Sequence, residues 1–265
     1  MTIETIALSG PGADHLDLTV EDGVGTLTLA RPDVLNALDS DTHWAIQRAV
    51  DKFERMEGVR SLVVRGSGRS FCAGSDLREI GNIVGEAARE YVALDFRTKN
   101  RIAGCSLPTI AAIHGHCVGG GVELALACDI RLAATDVRFA FREVQLGSLP
   151  GSGGLQRLPS VVGLGVAKAW VLLGGDVAGP EAERRGLVTA TVDEADLWDH
   201  AQRLARQLAQ QSPTAMRLAK VALDPSPPAD YGMEVAFQML AGEACHGDPA
   251  YQQRTRRFTA KATEA

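Results

Sequence analysis

The spacing of apolar residues predicts that strands and helices alternate along the first part of the chain. Apolar and polar residues alternate on both sides of Asp22-Gly23, a turn pair typical of a β-hairpin with one buried face. From Ser40 the apolar residues recur at helical spacing, namely Ile46, Ala49, Val50, Phe53 and Met56. Asp39 or Ser40 can cap this helix, and the Leu62–Val64 run that follows predicts a short buried strand.

The segment from Ile110 to Glu143 predicts a strand, a glycine turn and a helix. Its apolar start, Ile110–Ile113, is typical of a buried strand, and glycines at 119–121 precede a second apolar run. Glycine lets a backbone approach a ligand closely, and the first N–H groups of a helix have no partner inside it. Because the helix dipole adds positive charge there, the pattern predicts a site for an anion, including one that forms during a reaction.

Glu123 interrupts the apolar run that follows these glycines. A carboxylate is costly to bury without partners. This one is predicted in the first turn of the helix, where its ionised form is favoured and its side chain can point toward the anion site. A role limited to capping the helix is the alternative interpretation.

Helical patterns dominate the rest of the chain. Helices are predicted at 86–103 and around 155–175, with a strand near 187–192. Further on, Pro213 starts a helix, two more are predicted at 233–244 and 249–261, and one apolar stripe comprises Leu197, Ala201, Leu204, Ala205 and Leu208. We therefore expect an α/β core over residues 1–195 and a helical region over 196–265 that makes subunit contacts.

Two glycine-rich breaks interrupt the pattern. The polar one at 66–81 is a candidate functional loop, because loops on a rigid scaffold often carry function, and the other spans 147–154. Neither the dinucleotide-binding nor the phosphate-loop glycine pattern occurs in the second break. His114 and His116 would face one side of a strand end, but no third metal ligand accompanies them, so we expect no metal site.

Composition narrows the class of protein. Hydrophobic residues make up 45% and charged residues 23%, as in ordinary globular proteins. The net charge of −6 argues against a nucleic-acid surface, and no apolar run reaches the roughly 18 residues of a membrane span. The N-terminal residues lack the pattern of a signal peptide, and the five scattered cysteines form no CxxC pair. We expect a cytoplasmic protein with reduced cysteines.

Four sequence blocks resemble the enoyl-CoA hydratase/isomerase family, also called the crotonase superfamily. They are RPDVLNALD at Arg31–Asp39, FCAGSDL at Phe71–Leu77, HGHCVGGGVELALACDIRLA at His114–Ala133 and FREVQLGSLPGSGGLQRL at Phe141–Leu158. Each glycine cluster alone is weakly specific, but the order and spacing of all four blocks are highly specific. The resemblance covers roughly residues 15 to 260.

This resemblance implies a fold, an assembly and a substrate. The fold is a spiral of ββα repeats with a helical C-terminal region, assembled as a homotrimer or a dimer of trimers. The substrate is an acyl-CoA thioester, and no separate cofactor is implied because coenzyme A is part of that substrate. The shared chemistry is an oxyanion hole of two backbone N–H groups, which by position belong to Ser75 and Gly120. Hydrogen bonds of this kind contribute about 10²–10³-fold in rate.

Two glutamates of the hydratases in this family match Glu123 and Glu143. Syn addition of water to a 2-enoyl thioester needs a base that activates water at C3 and an acid that protonates C2. Two neighbouring carboxylates are unequally ionised, so their surroundings can assign them opposite roles. We expect Glu123 to activate water and Glu143 to deliver the proton, with their titrations coupled. The alternative for Glu143 is an ordinary solvated residue or an ion pair with Arg142.

The family match also implies residues that bind the acyl-CoA, and a pocket wall between Leu77 and Phe96. The loop residues Asp76 and Arg78 can equally be ordinary loop charges. Because the phosphates of CoA are anionic, basic side chains are expected to contact them, one of them from a neighbouring subunit in the case of Lys261. The full set of predicted substrate-binding residues is Arg31, Leu35, Ala73, Asp76, Leu77, Arg78, Gly119 and Lys261.

The chain departs from the family pattern beside the second glutamate. Arg142 replaces a frequent proline, Ala140-Phe141 replaces a small polar pair, and Ser75 replaces a frequent alanine. Arg142 can change acyl specificity or the acidity of Glu143, or it can point away. The exchange at Ser75 has little effect if only its N–H is used.

Other functions remain open within this resemblance. A Δ3,Δ2-enoyl-CoA isomerase or a dehydratase would use the same site, but a double-bond shift needs only one carboxylate, so two favour hydration. Thioester hydrolysis by a glutamate-activated water is a second option, although the GxSxG elbow of serine hydrolases is absent from the sequence. An inactive acyl-CoA-binding protein is a third.

Overall fold

The computed structural model describes residues 3–223 and 231–259 of the chain. Its strands are β1 Glu4–Thr5, β2 Leu16–Glu21, β3 Val24–Leu29, β4 Ser61–Gly66, β5 Thr109–Ile113, β6 His116–Val118, β7 Ile130–Ala134, β8 Arg138–Ala140, β9 Asp176–Ala178 and β10 Ala190–Val192. The helices are α1 Ser40–Arg55, α2 Leu77–Ile80, α3 Gly85–Ala103, α4 Gly120–Leu126, α5 Glu143–Leu146, α6 Gly154–Val162, α7 Leu164–Leu173, α8 Gly179–Arg184, α9 Glu194–Ala209, α10 Pro213–Leu223, α11 Tyr231–Gly247 and α12 Pro249–Thr259.

Within this described part, the strands form a seven-stranded sheet and a three-stranded sheet. The larger sheet has the order β1-β2-β3-β4-β5-β7-β10, antiparallel as far as β3 and parallel from β3 onward. The smaller sheet has the order β6-β8-β9. This mixed α/β architecture, with helices over the last part of the chain, confirms the predicted fold class.

The larger sheet is buried on both faces, which explains the unbroken apolar runs of its central strands. In β4, the side chains of Leu62 and Val64 lie on the face of the sheet that α1 covers, whereas Val63 lies on the opposite face. That second face is covered by α9 through residues of the predicted stripe, Leu197, Ala201 and Ala205. The start of the predicted helical region at 196–265 is therefore packed against the sheet.

Helix α1 has the cap that its sequence predicts. Asp39 is the N-cap, and its Oδ1 accepts a hydrogen bond of 2.8 Å from the backbone N–H of Thr42. The predicted apolar face is buried at Ile46, Ala49, Val50 and Phe53. Such a cap contributes about 1 kcal/mol to helix stability.

Several boundaries differ from the predicted ones. The segment predicted as helical around 155–175 divides into α6 and α7 at Gly163, whose φ of 82° no helix accommodates. The predicted strand at 187–192 shortens to β10, and the polar loop at 66–81 contains the short helix α2. The predicted helix at 249–261 ends, in the described residues, at Thr259, and Lys261 lies outside them.

None of the helices among residues 3–223 and 231–259 combines the length and apolarity needed to cross a membrane.

Candidate active site

A cavity of about 480 Å³ lies where the glycine-rich segments of the sequence converge. Its walls come from the loop after β4, from α3, from the start of α4, from the segment around α5 and from the C-terminal helices. Ser75, Gly120, Glu123 and Glu143 all line it. The structure thus brings the four predicted catalytic residues to one cavity.

The predicted oxyanion hole is compact. Ser75 pairs with Leu38 in a parallel β-bridge, which fixes the backbone on one side. Gly120 is the first residue of α4, so its N–H has no acceptor inside the helix. A Cβ on Gly120 would lie 3.4 Å from the backbone nitrogen of Ser75, so the two backbones nearly touch. Two N–H groups so close together can both donate to one oxygen.

Gly119 turns the chain between β6 and α4 and lets Glu143 approach the oxyanion hole. Its φ of 53° and ψ of −120° are strained for any residue with a side chain. A Cβ at this position would also come within 2.9 Å of Glu143 Oε1. The glycine therefore provides both the turn and the space for the second carboxylate.

Glu123 is buried, and the loop before α6 supplies its hydrogen bonds. Its Oε1 accepts from the backbone N–H groups of Ser152 and Gly154, each at 2.9 Å, and its Oε2 accepts from the Ser152 hydroxyl at 2.5 Å. These donors compensate for removing a carboxylate from water. A Cβ on Gly154 would lie 2.7 Å from Oε1, so only glycine fits there. The second glycine-rich break thus forms a cradle for Glu123.

Glu143 has the opposite environment. It begins α5, and its Oε2 is enclosed without a hydrogen-bond partner among the residues described. Burial, and secondly the nearby charge of Glu123, raise the pKa of Glu143 to about 8, although its own backbone N–H and, to a lesser degree, Lys99 oppose the rise. At neutral pH this carboxyl therefore holds a proton, as a general acid must.

Arg142, the departure from the family pattern, lines the cavity, but its guanidinium is engaged by partners on the β9 side. It forms an ion pair with Asp176 in β9 and donates a hydrogen bond of 2.8 Å to the carbonyl oxygen of Gly174. Because the charge of Arg142 is engaged there, Glu143 has no ion pair with its neighbour.

Three of the predicted substrate-binding residues, Ala73, Leu77 and Gly119, line the cavity. Leu35 lies beside them, and its carbonyl oxygen accepts a hydrogen bond of 3.0 Å from the N–H of Ala73. Arg78 is exposed at the start of α2. The contacts of all these residues with CoA stay predictions, as does that of Lys261.

Arg31 and Asp76 are engaged with the protein itself. The Arg31 guanidinium contacts Asp39 at 2.9 Å and Asp76 at 3.2 Å, and it donates a hydrogen bond of 2.7 Å to the carbonyl oxygen of Ala37. Asp76 is buried and caps α2 by accepting from the N–H of Arg78 at 3.1 Å. These contacts stabilise the loop that carries Ser75.

Part of the cavity wall goes beyond the residues predicted from the sequence. Tyr91 and Asp95 fall inside the predicted wall between Leu77 and Phe96, although the sequence pattern indicates no role for them. Gly242 and His246 from α11 and Tyr251 from α12 complete the wall, so the helical region contributes to the cavity. The ring of His246 stacks on that of Tyr251 at 4.5 Å. The tertiary contacts of α11 with α3, and of α12 with α2 and α5, bring these residues to the site.

The two histidines considered for a metal site have other partners. His114 Nε2 lies 2.9 Å from the carbonyl oxygen of Gly68, and His116 Nδ1 lies 3.3 Å from the Ser70 hydroxyl. Among the described residues, no group of three or more histidine, cysteine or acidic side chains is arranged to hold a metal ion.

Comparison with known proteins identifies the family. The family model described as enoyl-CoA hydratase/isomerase matches residues 19–235. The chain belongs to this family. It is 34% identical to a short-chain-enoyl-CoA hydratase of Clostridium acetobutylicum, over 88% of this chain and 89% of the relative.

Solved structures show the same fold. A crystal structure of an enoyl-CoA hydratase from Bacillus anthracis superimposes with a TM-score of 0.78 at 30% identity, over 93% of this chain and 96% of that one. An enoyl-CoA hydratase/isomerase from Mycobacterium paratuberculosis reaches a TM-score of 0.85 at 23% identity, over 92% and 98%. The predicted crotonase-like fold is confirmed.

Proposed function

We propose that this protein is an enoyl-CoA hydratase, a hydro-lyase that reversibly adds water to a 2-enoyl-CoA to give a 3-hydroxyacyl-CoA. The observation that carries the proposal is the pair Glu123 and Glu143 on one cavity, with different environments. Glu123 accepts hydrogen bonds from the N–H groups of Ser152 and Gly154 and from the Ser152 hydroxyl. Glu143 instead keeps a proton on its carboxyl group, because its pKa is raised. Hydration requires one base and one acid, and this pair supplies both.

The mechanism follows from these positions. Glu123 takes a proton from water as the water oxygen bonds to C3. The electrons of the double bond move toward the thioester, whose oxygen gains negative charge and accepts hydrogen bonds from the N–H groups of Ser75 and Gly120. Glu143 gives its proton to C2. Proton exchange with solvent then restores both carboxyl groups, and the reverse sequence removes water.

A panel of acyl-CoA thioesters, with products identified by mass spectrometry, tests the proposal. We expect a mass gain of one water from 2-enoyl-CoA substrates, and a loss of at least about 100-fold in kcat for Glu123→Gln and Glu143→Gln. Conversion of 3-enoyl to 2-enoyl thioesters without hydration would assign an isomerase. Release of free CoA would assign a hydrolase, and binding without turnover an inactive binding protein.

The proposal includes the assembly state and location. Helix α10 exposes Leu218, Val221 and Leu223, at 59%, 69% and 82%, and such a surface is suited to contact with another subunit. We expect a homotrimer or a dimer of trimers, which light scattering of the purified protein would measure.

The cysteines are all free thiols, which supports a cytoplasmic location.

A further inference from the structure

A cluster of buried charged and polar residues lies behind the oxyanion hole, and the proposed reaction does not use it. Lys99 of α3 is fully buried, and its ammonium forms an ion pair with Asp95 Oδ1 one turn earlier. His43 of α1, also fully buried, places its Nε2 3.3 Å from the same carboxylate oxygen. Burying a charge is costly even when it is paired, so the cluster needs a reason beyond stability.

One end of the cluster reaches Gly120. A Cβ on Gly120 would lie 3.6 Å from Lys99 Nζ. Burial lowers the pKa of Lys99 to about 8. The ammonium is close enough to Glu123 and Glu143 that both oppose this fall, while Arg157 adds to it. Lys99 therefore places a positive charge next to Gly120 and within electrostatic range of the two predicted catalytic carboxyl groups.

The other end of the cluster reaches Ser75. His43 Nε2 lies 3.3 Å from the Tyr91 hydroxyl, which donates a hydrogen bond of 2.8 Å to the carbonyl oxygen of Leu38. Leu38 is the residue that pairs with Ser75 in the β-bridge. The cluster thus connects the backbones of both oxyanion-hole donors.

The protonation of His43 is consistent with this arrangement. Burial, and secondly the charge of Lys99, hold the pKa of His43 well below its usual value, so the ring is neutral. Its Nδ1 is buried without a hydrogen-bond partner in the described part of the chain. We assign the ring proton to Nε2, where it can be donated to Asp95.

We infer that Lys99 is a positioning residue for hydration, because its buried ammonium lies behind Gly120 and, through Asp95, His43 and Tyr91, holds the two oxyanion-hole donors in place. The inference rests on the proposed function. The thioester oxygen is neutral in the bound substrate and gains negative charge in the transition state. A buried positive charge next to the oxyanion hole stabilises the second state more than the first. Its loss should therefore lower kcat more than it raises KM.

The test replaces Lys99 with methionine, which has similar length and no charge. Lys99→Met leaves the Asp95 carboxylate buried without its partner, which lowers stability by itself. The double variant Asp95→Asn/Lys99→Met removes both charges, so that the effect of the lost charge on kcat can be distinguished from its effect on folding. Lys168→Met, at an exposed lysine of α7, is the matched control. Each variant is assayed for kcat, KM and melting temperature.

A spectroscopic readout reports on the oxyanion hole directly. An aryl-conjugated 2-enoyl-CoA absorbs at longer wavelength when its bound carbonyl group is polarised. We expect Lys99→Met to lower kcat at least tenfold with KM changed less than threefold, and to reduce this shift. The double variant should regain melting temperature but neither kcat nor the shift, and Lys168→Met should match the wild type.

The inference is overturned if the double variant has wild-type kcat and an unchanged absorption shift. It is also overturned if Lys99→Met lowers only the melting temperature, since that result would make the cluster purely structural. A wild-type protein that does not hydrate any enoyl-CoA would instead refute the proposed function. The absorption of the bound thioester would still show whether Lys99 polarises it.

Discussion

The carboxylate of Glu123 and the backbone nitrogen of Gly154 lie 2.9 Å apart, joined by a hydrogen bond between α4 and the start of α6. Through this contact the predicted base is held by a backbone N–H group, since the glycine at position 154 has no side chain to contribute. The space for it exists because residue 154 has no Cβ. The orientation of the base therefore depends on a glycine that takes no part in the chemistry.

Replacing this glycine tests that dependence. In Gly154→Ala the new Cβ would lie 2.7 Å from Glu123 Oε1, so the carboxylate must move. Displacing a catalytic group by about 1 Å costs about 100-fold in rate, and we expect a fall in kcat of that size. Gly165→Ala in α7 is the control, because nothing lies within 4 Å of its Cβ position. Equal kcat values for the two variants would contradict this account of the cradle.

Removal of the Ser152 hydroxyl tests how the buried charge is stabilised. Ser152→Ala leaves Glu123 Oε2 without the donor that lies 2.5 Å away. A hydrogen bond to a charged group contributes about 1.5–3 kcal/mol, so we expect a loss of that size in the free energy of unfolding, measured with urea. Ser160→Ala, at an exposed serine of α6, should change it by less than about 0.5 kcal/mol. A stable Ser152→Ala protein would show that another donor replaces the hydroxyl.

The raised pKa of Glu143 predicts a pH dependence. Below about pH 8 the carboxyl holds the proton that it delivers to C2, and above it the ionised group has none to give. We therefore expect kcat/KM to fall as the pH rises through about 8. The midpoint belongs to the coupled groups, since Lys99, whose pKa is also about 8, loses its charge over the same range. The measurement is kcat/KM from about pH 6 to about pH 10. A flat profile across this range would exclude Glu143 as the acid.

A lysine variant controls the pH experiment. Lys99→Met should move the midpoint to higher pH, because the lysine ammonium lowers the pKa of Glu143.

Glu143→Gln tests how the raised pKa of Glu143 affects the stability of the fold. The native pKa of Glu143 lies above the ordinary value of 4.5, so the folded state holds the proton more tightly and stability falls as the pH rises from about 4.5 to about 8. The glutamine variant should lose this part of the dependence.

A variant of Arg31 can show whether this side chain stabilises the fold or binds the phosphates of the substrate. Because its guanidinium pairs with Asp39 and Asp76, we expect Arg31→Ala to lower the free energy of unfolding by about 1–3 kcal/mol, measured with urea. Its effect on KM should be equal for an enoyl-CoA and for an enoyl-pantetheine without the nucleotide. Arg138→Ala, at an exposed arginine of β8, is the control. A KM increase confined to the CoA substrate would place Arg31 on the phosphates.

Local patterns were sufficient to predict the elements that bury a periodic face. The hairpin around Asp22-Gly23 and the cap and buried face of α1 depend on turn chemistry and on spacing within a few residues, so neighbours along the chain determine them. The division between α6 and α7 was missed although it occurs at a glycine, because an apolar stretch on both sides concealed the break. The short strands β6, β8 and β9 are too brief to show a period.

The sequence by itself determined the family and the fold class, and it predicted the residues of the reaction, because four blocks of residues in a specific order carry that information. Only the tertiary structure decided what surrounds those residues. Ser152 and Gly154 meet Glu123, Lys99 lies behind Gly120, and Arg142 turns to Asp176. These contacts join segments far apart in the chain. The pKa of Glu143 depends on its burial and on the charge of Glu123, which no local pattern records.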